Sequence, residues 1–69
     1  MADSVYQFME LVGTSERSWE EAARNAVEKV GRTYRDIRVA EVVMLDLKVE
    51  AGRVLAYRAR VKVSYKYEG

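Results

Sequence analysis

Arg58, Arg60, Lys62 and Lys66 share one parity near the end of the chain, four cations on a single row. Guanidinium groups grip phosphate or carboxylate through paired hydrogen bonds, so the row is a candidate anion site. The same alternation is also the ordinary outward face of a sheet, paired with Asp46, Glu41 or carboxylates of neighbouring protomers. Tyr57, Tyr65 and Tyr67 fall on the opposite parity, where a stripe of rings packs as core. Rings and cations on different faces weigh against a single-stranded nucleic acid, which needs both on one surface. Glu41 and Asp46 are the two acids to watch on the preceding segment. Each could ligate a hard cation or pair with an arginine across a hairpin.

Other chemistry is excluded by residue type. The 69 residues include no His and no Cys, which removes the commonest general base, thiolate metal sites and disulfides. Carboxylates are the strong metal ligands that remain, so a bound metal would be Ca²⁺ or Mg²⁺. There is no Gly-rich phosphate loop, nucleophile motif or close carboxylate pair, and the expectation is a protein that is not an enzyme. A net charge of +1 lacks the basic excess of a dedicated nucleic-acid binder. Met1-Ala2-Asp3-Ser4 has neither the basic nor the apolar part of a secretion signal, and no run is long enough to span a bilayer. The expected location is the cytoplasm.

The elements that must position these residues are few. Ser4–Val12 carries β-favouring bulk on both parities, which predicts a first strand covered on both faces. Gly13-Thr14-Ser15-Glu16 then reads as a turn. Ser18 stands three residues before Glu21, the spacing of a capping box, with Glu20 and Glu21 in the first helical turn. Trp19, Ala22, Ala23, Ala26, Val27, Val30 and Tyr34 follow as an apolar stripe at helical spacing. The second strand, Ile37–Val49, is apolar on both parities from Ala40 to Leu45 apart from Glu41, as for burial on both sides. Strict alternation would point Val42 and Met44 to the face of the cationic row. Glu50-Ala51-Gly52-Arg53 is a hairpin loop in which Gly52 supplies a positive φ. The third strand runs from Leu55 to Tyr67.

The fold class is therefore α+β, a β-α-β-β protomer forming one domain over 1–69, with a three-stranded antiparallel sheet around one helix. Two strands of thirteen residues exceed what a helix about 25 Å long can cover. A chain this short buries only about 60 % of its unfolded surface, and without staples it needs a partner. Identical copies are the expected source of that cover.

Several segments together resemble the dodecin family. They are Glu10-Leu11-Val12-Gly13-Thr14-Ser15, Ser18-Trp19-Glu20-Glu21-Ala22-Ala23, Ile37-Arg38-Val39-Ala40-Glu41-Val42 and Tyr57-Arg58-Ala59-Arg60-Val61-Lys62-Val63-Ser64-Tyr65. The resemblance implies a hollow homododecamer whose flavin-binding members store flavins (FMN, FAD or riboflavin) stacked between tryptophans. This chain departs from that pattern at two places: Val39 stands where the stacking Trp is expected, and Arg58 where a Gln meets the flavin edge. Ring stacking is worth about 1–3 kcal/mol per ring, and a guanidinium offers donors only, so flavin affinity should fall. With Ile37-Arg38-Val39-Ala40, both substitutions look more like the calcium dodecin subgroup, whose metal ligands do not map onto named residues here. The candidate ligand contacts are Arg38, Val39 and Arg58. The expected function is sequestration of a small flavin-type or anionic ligand; the alternatives are a Ca²⁺-binding or purely structural assembly, and lastly a nucleic-acid adaptor.

Overall fold

The computed structural model describes residues 4–66. Four elements follow in order: β1 (Tyr6–Ser15), α1 (Trp19–Gly31), β2 (Ile37–Glu50) and β3 (Arg53–Lys66). The strands form one antiparallel sheet ordered β1-β3-β2, with the central place taken by the last strand. The β-α-β-β reading holds. Tyr67, expected at the end of the third strand, lies outside the described residues.

The core sits between α1 and the middle of β3. Ala22, Ala26 and Val30 of the helix meet Ala59, Val61 and Val63 of the strand, and all six are buried. Small residues let the helix descend onto the sheet, as at Gly13. A Cβ there would collide with the Ala22 carbonyl oxygen and stand 2.9 Å from Ala26 Cβ. This corrects the turn expected at Gly13-Thr14-Ser15-Glu16: β1 runs through to Ser15, and Gly13 answers a close approach, not a bend.

Ser18 caps the helix as its spacing predicts, its Oγ accepting from Glu21 N at 3.0 Å. The return half of the capping box is relayed. Glu21 Oε1 accepts from Ser15 Oγ at 2.5 Å, and Ser15 Oγ in turn accepts from the amides of Arg17 and Ser18. The buried Ser15 hydroxyl thereby joins the end of β1 to the start of α1. Beyond the helix, Tyr34 stacks on Tyr65, with ring centroids 5.0 Å apart. The hairpin turns at Ala51 (φ 51°) and Gly52 (φ 74°), both positive, the geometry of a tight two-residue turn.

Two expectations about cover fail within one protomer. Tyr6, Phe8 and Val12 of β1 stay exposed, as do Val39, Val42, Val43, Met44, Leu45 and Leu47 of β2. The helix of 13 residues is about 20 Å long, whereas the molecule extends 55 Å. It packs on β1 and β3 and barely reaches β2. The facing of Val42 is also corrected. Val42 opposes Val61 and Met44 opposes Arg60, leaving Val43 as an extra, bulged residue. Opposed residues share a face, so Val42 lies on the helix side while Met44 alone joins the cationic row.

Candidate functional site

Because Ala59, Val61 and Val63 point into the core, Arg58, Arg60, Lys62, Ser64 and Lys66 stand on the outer face. Their neighbours follow from register. Lys62 lies between Glu10 and Glu41, Arg60 between Val12 and Met44, and Arg58 between Thr14 and Asp46. The row is therefore set among acids and apolar groups, not left as bare positive charge.

Arg58 is closed on Asp46. Its Nε donates to Oδ1 at 2.7 Å and one terminal nitrogen donates to Oδ2 at 3.0 Å, a bidentate pair with both side chains part-exposed. Hydrogen bonding to Arg58 holds the Asp46 carboxyl below its ordinary value against a smaller opposing effect of burial, with the charges of Arg58 and Arg60 adding to the lowering. The same hydrogen bond raises Arg58. The Asp46 backbone is held too, since Trp19 Nε1 donates to its carbonyl oxygen at 3.0 Å. Trp19 also meets Tyr57 edge-on, at 5.1 Å between centroids, so the packing role expected of Trp19 and Tyr57 is the observed one.

The three candidate ligand contacts do not converge in one protomer. Val39 opposes Ser64, six residues along β3 from Arg58, which is a separation of about 20 Å. Arg38 adjoins Val39 and lines a polar cavity with Tyr6, Asp36 and Lys66. Glu41 faces a lysine, not an arginine, and among the described residues it makes no ion pair within 4 Å. No three carboxylates of the described residues converge on a possible metal position within one chain. Among the described residues no helix is long and apolar enough to cross a membrane.

Sequence reasoning missed the rings on the cationic face. Tyr6 opposes Lys66 and Phe8 opposes Ser64, and Lys62 Nζ sits 5.1 Å from the Phe8 ring centroid, a cation–π contact. The signal lay in β1, whose even residues carry these rings, but only the register reveals which face they share. On the helix side, Trp19, Ala23, Val42 and Leu45 line an apolar cleft of about 420 Å³ that the helix leaves open along β2.

The Dodecin family model matches residues 5–68. The calcium dodecin of Mycobacterium tuberculosis is 41% identical over 63 residues, 91% of this chain and 89% of the relative. A crystal structure of calcium dodecin from that organism, described as calcium chelating with a calcium-binding site, superposes with a TM-score of 0.84 over 94% of this chain and 93% of its own. Dodecin from Streptomyces coelicolor is 30% identical, with a TM-score of 0.89 over 100% of this chain and 99% of its own. Element order, sheet and sequence agree over nearly the whole length, and the chain belongs to the Dodecin family.

Proposed function

We propose that this chain, acting as one domain, is a non-enzymatic cytoplasmic protein that assembles as a homododecamer and binds Ca²⁺ at sites shared between protomers, with flat flavin-type rings disfavoured. The observation that carries this reading is the bidentate Arg58–Asp46 pair. It ties up two of the five N–H donors of Arg58, the residue that the family resemblance would set at a ring edge, while Val39 offers no ring to stack on. Glu10 and Glu41, which flank Lys62 on the outer face and make no ion pair within 4 Å among the described residues, suit ligation from several chains, because Ca²⁺ takes 6–8 oxygen ligands. The 41% identity to a calcium dodecin supports the same choice of ligand. Assembly is supported by the open cleft at Trp19, Val42 and Leu45 and by the uncovered apolar residues of β2.

Light scattering should give a particle of about 95 kDa, twelve protomers of 7.9 kDa. Calorimetry on the metal-free assembly should show saturable heat with Ca²⁺, and fluorescence titration should show little quenching of FMN. A monomeric mass, or silence at millimolar Ca²⁺, would remove the corresponding half of the reading. Sub-micromolar flavin binding would overturn the exclusion of rings.

A further inference from the structure

We propose that Trp19 couples the two faces of the sheet, so that opening the Arg58–Asp46 pair on the outer face loosens the apolar cleft on the helix side. This coupling takes from the assembly reading only the occupant of the cleft, a neighbouring protomer. Asp46 is held at two points. Its carboxylate accepts from Arg58 Nε at 2.7 Å and from a terminal nitrogen at 3.0 Å. Its backbone carbonyl accepts from Trp19 Nε1 at 3.0 Å. Trp19 and Ala23 form the helical wall of the cleft, and Val42 and Leu45 form the wall on β2. Leu45 immediately precedes Asp46, so a single stretch of β2 joins the outer-face pair to the cleft.

The tie matters because the helix holds β2 by little else. β2 is an edge strand, and α1 packs on β1 and β3 while barely reaching it. At the opposite edge Asn25 Nδ2 donates to the Thr14 carbonyl oxygen at 3.0 Å. Thr14, Arg58 and Asp46 stand in one row across the three strands. The helix is therefore hydrogen-bonded to both edge strands in the row centred on Arg58. Tyr57, the residue before Arg58, adds an edge-on ring contact to Trp19 at 5.1 Å. When the pair opens, Asp46 loses its side-chain anchor, its carbonyl is freed to turn from the indole, and the spacing of Trp19 and Leu45 relaxes with it. By linkage the effect runs both ways: cover of the cleft that fixes Trp19 also favours the closed pair.

The chain has a single tryptophan, so its emission reports Trp19 alone. Arg58→Met removes the pair on the face away from the helix. It should shift the emission to the red, speed exchange of the indole N–H severalfold, and raise severalfold the protein concentration below which the assembly dissociates. Arg60→Met, which opposes Val12 and Met44 and no carboxylate, should change none of these. Trp19→Phe keeps a ring but loses the N–H donor, and should weaken assembly as well. Because both substitutions break one linkage, Arg58→Met should add little to the loss already caused by Trp19→Phe. Light scattering over a dilution series reads the dissociation; fluorescence and NMR read the indole. Unshifted emission with unchanged exchange in Arg58→Met overturns the proposal, and so do fully additive losses in the double variant. A parent that is already monomeric removes the assembly reading instead; the emission shift then supports the link and its absence overturns it. If Arg58→Met fails to assemble, Arg58→Lys decides, since it keeps the charge but not the paired donors: a red shift in the intact assembly supports the link, and the parent's spectrum overturns it.

Discussion

Replacing Gly13 by alanine tests whether the closeness of α1 to the sheet sets the stability of the protomer. The added Cβ would collide with the Ala22 carbonyl oxygen and stand 2.9 Å from Ala26 Cβ and 3.1 Å from the Ala22 carbonyl carbon. Relieving the Ala26 contact alone, to an ordinary 3.4 Å, needs about 0.5 Å of movement, and the carbonyl oxygen needs more. Two of these three atoms are backbone of the first helical turn and the third is a Cβ, so no side chain can swing aside; the helix itself must retreat. Overpacking of this kind costs about 3 kcal/mol or more. A chain of 69 residues has roughly 3–10 kcal/mol in total. The loss should lower Tm by roughly 12–24 °C at fixed protomer concentration. Gly31→Ala is the matched control, since nothing lies within 4 Å of its added Cβ. As a residue of the last helical turn with an ordinary φ, it should be neutral or gain up to about 1 kcal/mol. Thermal denaturation followed by circular dichroism, with light scattering to confirm assembly, reads both. A Gly13→Ala protein melting within a few degrees of the parent would refute the close-packing argument.

Two further outcomes follow from local geometry. Ala51 adopts φ 51°, which costs a residue with a Cβ about 1–2 kcal/mol, so Ala51→Asn, giving the Asn-Gly pair that such turns favour, should raise Tm by roughly 4–8 °C; an unchanged or lower Tm would count against the turn. Because the Asp46 pKa is lowered from 3.8 on folding, its contribution is complete above that value and disappears as pH falls through the lower folded value. Asp46→Asn should therefore melt below the parent near neutral pH and converge with it in acid below 3.8, as read from Tm across a pH series; a gap that persists there would refute the linkage.

Local patterns in the sequence were sufficient wherever one short segment decides its own structure. Ser18 and Glu21 announced the helix start, the alternation from Ala59 to Val63 announced the buried face of β3, and Gly52 announced the hairpin. Pairwise facts were not legible. The parity of Val42 depends on the unpaired Val43, and only cross-strand register shows that break. Gly13 looked like a turn because the helix that presses on it is distant in sequence. The candidate site divided the same way. Arg58 was recognisable as a cation on an outer face with Asp46 among its partners, but nothing local says that two nitrogens close on one carboxylate. Tyr6 and Phe8 joined the cations only once β1 was laid beside β3.

The spare residue at Val43 also governs which length changes β2 can absorb. Without Val43, Val42 and Met44 would become adjacent, yet each would keep the side it now faces, and so would Leu45, Asp46 and Leu47. Loss of one residue from the regular stretch after it would instead invert every later side chain relative to β3. A homologue with a shortened β2 should therefore show its gap at an extra residue, Val43 or Arg38, and should carry a straighter ribbon that hugs the helix less closely.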